Sequence, residues 1–172
     1  MAPRVVLVGL PGTGKSRVGA ALARLLGVAF ADSDDLIVQQ TGRSVSEIFS
    51  HQGEPAFRQL EADMIAQALD GFDGVLALGG GAVTTESVRQ DLLASGVLVV
   101  QLSARPDELL RRMPDGGRRP LLAGDAPARL AELTEARAGL YAEVASVTVD
   151  TGGRSVAEVA AVLHSRLIGQ PS

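Results

Sequence analysis

One glycine-rich stretch, GLPGTGKS at positions 9 to 16, restricts the possible folds of this chain more than any other feature. It matches the pattern G-x-x-x-x-G-K-[S/T] and lies between a predicted strand, Arg4 to Val8, and a predicted helix, Lys15 to Leu26. Such glycines let successive backbone N–H groups surround an anion, and the helix N-terminus adds its partial positive charge. An ordinary strand-to-helix turn is the alternative. The flanking elements favour a phosphate-binding loop.

The lysine of this motif has no counterpart elsewhere in the sequence. Lys15 is the only lysine, whereas arginine supplies every other basic side chain of the 16. A site that needs a compact ammonium charge instead of a planar fork is one where arginine cannot replace lysine. The motif therefore predicts that Lys15 contacts the β- and γ-phosphates of a nucleotide and that the Ser16 hydroxyl binds Mg²⁺.

Short aliphatic runs alternate with segments of helical periodicity along the whole chain. The runs predict five strands, at Arg4 to Val8, Val28 to Asp32, Gly74 to Leu78, Val97 to Leu102 and Ser146 to Asp150. The remaining segments predict helices at Lys15 to Leu26, Asp34 to Phe49 with a break, Pro55 to Leu69, Ser87 to Ala94, Pro106 to Met113, Ala128 to Tyr141 and Val156 to Ile168. This alternation predicts an α/β three-layer sandwich around a five-stranded, mostly parallel sheet.

Composition narrows the classes of partner. With 172 residues, 46% of them hydrophobic, the chain is predicted to form one domain over residues 1–172. A net charge of −4 argues against nucleic-acid binding, and the longest apolar runs are too short to span a membrane. The absence of cysteine suits a reducing cytoplasm. We expect a soluble, cytoplasmic monomer, with a mobile loop from Met113 to Pro127, where Gly, Pro, Asp and Arg are concentrated.

Two carboxylates follow the second predicted strand. Asp32 and Asp34 would emerge at the carboxyl edge of the sheet, where open α/β folds bind ligands. A spacing of two on a strand would point both the same way, one toward a magnesium-bound water and the other toward a substrate hydroxyl. The alternative is that Asp34 or Ser33 caps the next helix.

Other candidates are weak when taken alone. The glycines at 79 to 81 allow close backbone approach to a ligand, but a tight turn would also use them. Arg58 and Glu61 have the i, i+3 spacing of a solvated ion pair. Stacking or simple packing would explain Arg137 and Tyr141, one turn apart on a late helix. The two histidines, His51 and His164, lack metal-ligand spacing.

Together these elements resemble the shikimate kinases over nearly the whole chain. The resemblance implies a P-loop NTPase fold, similar to the nucleoside monophosphate kinases, with an acceptor-binding segment at about 33–61 and a mobile lid at about 113–126. Its matching elements, in order, are the loop 9–16, Asp32 and Asp34, Gly53 and Glu54, Phe57 with Arg58 and Glu61, Gly79 to Gly81, Arg119 to Leu122, and Arg137 with Leu140 and Tyr141.

The resemblance also implies roles for single residues. Asp34, as catalytic residue, contacts ring hydroxyls of shikimate, Arg58 and Arg137 hold its carboxylate, and Glu61 orients Arg58. The backbone of Gly79, Gly80 and Gly81 completes the shikimate site, and Asp32 with Ser16 holds magnesium. Catalytic Lys15 and Arg119 contact the transferring phosphate. ATP is bound by Gly12, Thr13, Gly14, Lys15, Ser16, Arg17, Arg112, Arg119 and Arg154.

Two positions depart from the family pattern. Arg17 stands where threonine is common, so a hydroxyl contact to the α-phosphate is missing. The adenine-side loop at Arg154 to Val156 lacks the usual proline.

The predicted function is ATP-dependent phosphorylation of shikimate. A gluconate kinase is the nearest alternative, because it would share the phosphate site. A GTPase-like switch is disfavoured, since the chain has no asparagine for a guanine-reading motif. An inactive interaction domain fits poorly with an intact set of phosphate, metal and substrate groups.

Overall fold

A computed structural model describes residues 1–112 and 126–169 of the protein. Within this part the chain forms one five-stranded sheet in the order β2-β3-β1-β4-β5. The strands are β1 (Val5–Val8), β2 (Ala29–Asp32), β3 (Gly74–Ala77), β4 (Val99–Ser103) and β5 (Val147–Asp150). All four pairings between these strands are parallel. The sheet was predicted to be mostly parallel, and it is parallel throughout.

Helices cover both faces of the sheet. They are α1 (Lys15–Leu26), α2 (Ser33–Thr41), α3 (Val45–Gln52), α4 (Glu54–Gly71), α5 (Glu86–Ser95), α6 (Pro106–Arg111), α7 (Ala126–Val144) and α8 (Val156–Ile168), with a short 3₁₀ turn at Ala82–Thr84. None of the helices in residues 1–112 and 126–169 is long and apolar enough to cross a membrane.

The alternation of side chains along β1 divides the core into two layers. Val5 and Leu7 pack with residues of α1 and α8 on one face. Val6 and Val8 pack with residues of α4, α5 and α7 on the other. All four strand residues are at most 1% exposed, as expected for a parallel sheet covered on both sides. The predicted three-layer α/β sandwich is confirmed.

Local signals placed most element boundaries correctly. Every predicted strand lies within two residues of an observed one, and the predicted break in the second helix separates α2 from α3. The hydroxyls of Ser44 and Ser155 accept the backbone N–H groups of Glu47 and Glu158, each at 3.1 Å, which caps α3 and α8. Because the strands are parallel, the loops after β1, β2 and β3 meet at one edge of the sheet.

Candidate active site

The loop after β1 has the backbone of an anion-binding nest. Gly12 and Gly14 have φ values of 86° and 91°, a conformation that side chains with a Cβ rarely adopt. The Thr13 hydroxyl donates to the Leu10 carbonyl at 2.8 Å and fixes the bend. Lys15 Nζ donates to the carbonyls of Gly9 (2.7 Å) and Leu10 (3.0 Å), so the ammonium lies over the loop at the start of α1.

Asp32 joins the loop after β1 to the loop after β2. Its Oδ2 accepts the Ser16 hydroxyl at 2.6 Å, and its Oδ1 accepts the Asp34 N–H at 2.9 Å. Asp32 is therefore the N-cap of α2, and neither Ser33 nor Asp34 caps the helix as the alternative had it. The buried Ser33 hydroxyl instead accepts the N–H of Gly79 at 2.9 Å.

The position of Asp34 corrects the argument from strand spacing. Asp34 lies in the first turn of α2 and not on an extension of β2. The alternation of side chains along a strand therefore does not determine where Asp34 points relative to Asp32. Burial and the neighbouring Asp32 raise the pKa of Asp34, while the charges of Lys15 and Arg58 lower it. The carboxylate thus stands between the ammonium of the phosphate loop and a guanidinium on α4.

Arg58 and Glu61 form a buried ion pair, not a solvated one. Arg58 Nη1 donates to Glu61 Oε1 at 2.8 Å, and the side chains are 12% and 1% exposed. The guanidinium also lies near the rings of Phe49 and Phe57, with its Cζ 6.0 and 5.2 Å from their centroids. Burial raises the pKa of Glu61 to about 7, although the charge of Arg58 opposes the shift.

Another arginine of this cluster, Arg137, lies on α7. Arg137 is 4% exposed, and its charge lowers the pKa values of both Glu61 and Tyr141, which places it next to the Arg58 pair. Among the described residues, Arg137 Nη1 and Arg58 Nε have no hydrogen-bond partner; Arg58 Nε makes only a 3.6 Å ion contact with the exposed Glu54. Buried N–H donors of a cationic side chain that lack an acceptor point to an anionic ligand.

The glycines at 79 to 81 allow these side chains to approach the backbone. A Cβ on Gly81 would lie 2.7 Å from Arg58 Cζ, and one on Gly79 would lie 2.9 Å from Asp34 Oδ1. A Cβ on Gly80 would lie 2.8 Å from Cδ of Pro11 in the phosphate loop. The segment is also a tight turn, closed by the bond from Ala82 N to Gly79 O at 3.0 Å, so both explanations of the glycines hold.

A cleft of about 730 Å³ runs along this edge of the sheet. Gly81, Arg58 and Arg137 are not among the residues that line it; Arg58 lies beside it, against Gly81. Its lining includes most of the predicted nucleotide and metal residues, together with Asp34 and part of the glycine turn: Gly12, Thr13, Gly14, Lys15, Ser16, Arg17, Asp32, Asp34, Gly79, Gly80, Arg112 and Arg154.

Arg112, which also lines the cleft, is fixed mainly by residues that the motifs did not identify. Its Nη2 donates to Glu108 Oε1 (2.7 Å) and to the Thr151 carbonyl (2.9 Å), and its Nη1 donates to the Thr151 hydroxyl (3.0 Å). The i, i+4 spacing of Glu108 and Arg112 was a usable signal for the first contact. Nothing in the sequence indicated Thr151, because it lies beyond β5.

Two predictions concern other parts of the chain. Arg119 and the predicted lid at 113–126 lie almost wholly outside the described residues. The histidines belong to no metal site in the part of the chain that the structure describes, where no group of three or more His, Asp or Glu side chains is arranged to hold a metal. Ser16 and Asp32 are hard oxygen donors and suit Mg²⁺, which needs few protein ligands because it keeps waters and phosphate oxygens.

The phosphate loop, the parallel sheet and the cleft at its carboxyl edge define a P-loop phosphotransferase. Comparison with known proteins narrows the class. The family model described as shikimate kinase matches residues 11–167. A shikimate kinase of Mycobacterium tuberculosis is 47% identical over 168 residues, which cover 97% of this chain and 94% of that protein. The chain belongs to the shikimate kinase family.

Solved structures agree with this assignment. Shikimate kinase from Acinetobacter baumannii, in complex with shikimate, superposes with a TM-score of 0.90 at 34% identity, over 98% of this chain and 93% of that one. A gluconokinase from Sinorhizobium meliloti superposes with a TM-score of 0.62 at 24% identity, over 99% and 98% of the two chains. The second match shows a shared fold alone.

Proposed function

We propose that this protein transfers the γ-phosphate of ATP to the 3-hydroxyl of shikimate, giving shikimate 3-phosphate and ADP for chorismate and aromatic amino-acid synthesis. The observation that carries the proposal is the pair of arginines, partly buried Arg58 and buried Arg137, each of which has a buried donor without a hydrogen-bond partner in the described part of a chain that also carries a phosphate-binding loop. An acceptor of this site must carry an anionic group and a hydroxyl, and shikimate carries both.

On the phosphate side, the loop binds and orients the nucleotide. Backbone N–H groups of the phosphate loop bind the phosphates, and Lys15 exchanges its bonds to loop carbonyls for bonds to β- and γ-phosphate oxygens. Magnesium, held through Ser16 and Asp32, supplies positive charge to those oxygens when bound. Arg112, Arg17 and Arg154 line the same cleft and contact the nucleotide.

On the acceptor side, buried charges position the reacting hydroxyl. Arg58 and Arg137 bind the carboxylate of shikimate through charge-assisted hydrogen bonds, and Glu61 holds Arg58 in place. Asp34 accepts a hydrogen bond from the ring hydroxyl. Its raised pKa makes it a better proton acceptor than an ordinary aspartate, which suits a base role. Positioning and charge neutralisation supply most of the catalysis.

An assay of acceptors tests the proposal. ADP release is measured in a coupled assay with ATP and, in turn, shikimate, gluconate and nucleoside monophosphates. We expect turnover with shikimate and little above background with the others. Gluconate as the preferred acceptor would replace the proposal with the gluconate kinase alternative, and ADP release that no acceptor stimulates would contradict a kinase of this kind.

Three further predictions from the sequence have tests of their own. The role of Arg119 in closing over the phosphate is checked by Arg119→Ala against Arg118→Ala, with a large loss of turnover expected only for the first. Sedimentation of the purified protein checks the expected monomer. Cell fractionation checks the expected cytoplasmic location.

A further inference from the structure

The hydroxyl of Tyr141 makes a contact that the functional roles above leave unused. Tyr141 is 2% exposed, lies one turn after Arg137 on α7, and donates its hydroxyl proton to the carbonyl of Gly80 at 2.5 Å. Burial raises the pKa of this phenol, while Arg137 opposes the shift through its charge and a hydrogen bond. The hydroxyl therefore stays protonated and holds the glycine turn, one helical turn along α7 from Arg137.

The other carbonyls of the turn are held from within the turn. The carbonyl of Gly79 accepts the N–H of Ala82, and that of Gly81 accepts the N–H and the hydroxyl of Thr84. The carbonyl of Gly80 is held instead by a side chain 61 residues away. Consecutive glycines restrict backbone rotation least, so a peptide between two of them needs an external contact to fix it.

The orientation of that peptide bears on ligand binding. In a trans peptide the C=O of Gly80 and the N–H of Gly81 point in opposite directions, so a carbonyl aimed at α7 aims the N–H away from it. Within the described part of the chain, neither Gly80 nor Gly81 donates its N–H to a partner. Gly80 also packs on Pro11 of the phosphate loop, where a Cβ would come within 2.8 Å of the ring.

We propose that Tyr141 is a positioning residue for the acidic acceptor: its hydroxyl fixes the Gly80–Gly81 peptide, which packs on Pro11 of the phosphate loop, one helical turn from Arg137. This inference rests on the proposed function. It goes beyond that function because it assigns a role to a buried phenol whose hydroxyl bonds to the backbone of the glycine turn.

The test removes one oxygen atom. Tyr141→Phe keeps the ring and deletes the hydroxyl. Thr134→Val is the matched control, because among the described residues the Thr134 hydroxyl on the same helix bonds only to the Leu130 carbonyl within α7. KM values for shikimate and ATP, the Kd for shikimate without nucleotide, and melting temperatures are measured for both variants and the wild type. Because Tyr141→Phe loses one hydrogen bond, we expect its KM and Kd for shikimate to rise roughly three- to tenfold.

The expected result has a specific signature. The KM for ATP in Tyr141→Phe stays within about twofold of wild type, its melting temperature falls no further than that of Thr134→Val, and Thr134→Val keeps both KM values. Unchanged shikimate KM and Kd in Tyr141→Phe would overturn the inference, as would equal rises for both substrates together with a lower melting temperature, which indicate lost packing. A wild-type protein that does not phosphorylate shikimate overturns the proposed function first, before any variant is compared.

Discussion

The two ends of the site are built in different ways. The phosphate end is one contiguous loop whose backbone supplies most of the donors, and its charged side chain, Lys15, bonds to carbonyls of that same loop. The acceptor end is assembled from side chains of three distant segments: Asp34 on α2, Arg58 with Glu61 on α4, and Arg137 on α7. A loop of this kind serves any nucleoside triphosphate, whereas in the proposed function the paired charges on α2, α4 and α7 select the acceptor.

The electrostatic environments differ in the same sense. At the end of the phosphate loop, Ser16 and the following Arg17 are exposed, and the loop lines the cleft. At the acceptor end, burial raises the pKa values of both Asp34 and Glu61, and two arginines balance them. Charge in a buried site is costly unless it is paired, which is why we propose that this end binds an anionic acceptor group in a defined position. Substitutions at the two ends should therefore affect different kinetic quantities.

The largest effect is expected at the phosphate end. Lys15→Ala removes the charge that balances the growing negative charge on the β- and γ-phosphates, and turnover should fall on the order of 100- to 1,000-fold or more while the circular dichroism spectrum is retained. Lys15→Arg keeps the charge but changes its shape, and should also lose most turnover. Near-normal turnover in Lys15→Ala would mean that the loop does not act as a phosphate site.

The acceptor end should respond in shikimate affinity alone. Arg58→Ala and Arg137→Ala each remove charge-assisted hydrogen bonds worth about 1.5 to 3 kcal/mol, so the Kd for shikimate should rise between about 10-fold and 150-fold. The affinity for ATP, measured on the same samples by calorimetry, serves as the control and should change little. Equal weakening of both ligands would remove the distinction between the two ends.

A smaller effect is expected when the glycine turn is filled. In Gly81→Ala the new Cβ would lie 2.7 Å from Arg58 Cζ, so the guanidinium must move and shikimate binding should weaken by roughly tenfold. Gly139→Ala is the matched control, because in residues 1–112 and 126–169 no atom outside the local backbone of α7 lies within 4 Å of a Cβ built there. It should leave binding unchanged and stabilise the helix by about 0.5 to 1 kcal/mol. Equal shikimate titrations for the two variants would show that Gly81 does not make room for Arg58.

The smallest expected effect is on the pH dependence of stability. The pKa of Glu61 is about 7 in the folded protein, against 4.5 for an ordinary glutamate, so the folded state binds the extra proton between these values. Its contribution to stability is present in full below pH 4.5 and is lost as the pH rises to about 7. Glu61→Gln should flatten the change in unfolding free energy across this window. A slope identical to that of the wild type would contradict the assigned pKa.

Sequence patterns predicted the phosphate end better than the acceptor end, for a physical reason. Backbone nests and helix periodicity depend on neighbouring residues, so the loop and α1 could be located correctly. The burial of Arg58 and Glu61 depends on α7 and the glycine turn, which lie far away along the chain, and their i, i+3 spacing indicated only a solvated pair. Arg137 was assigned to the same site only because of the family resemblance.

Two local errors have equally specific causes. Strand alternation predicted that the side chains of Asp32 and Asp34 point the same way. However, β2 ends at Asp32, whose carboxylate caps α2, so Asp34 follows the periodicity of a helix and not that of a strand. Glu108 and Thr151 were missed because they hold Arg112 without matching any phosphate-site motif. Arg112 itself was identified by resemblance, not by periodicity.

The central claim is that Arg58 and Arg137 recognise the carboxylate of the acceptor. It is tested most directly by comparing kcat/KM for shikimate with that for its carboxamide, in the wild type and in Arg58→Ala. The account predicts that the wild type prefers the acid by about 10-fold or more and that the preference shrinks markedly in Arg58→Ala, because the two changes remove the same interaction. Equal kcat/KM for acid and amide in the wild type would contradict it.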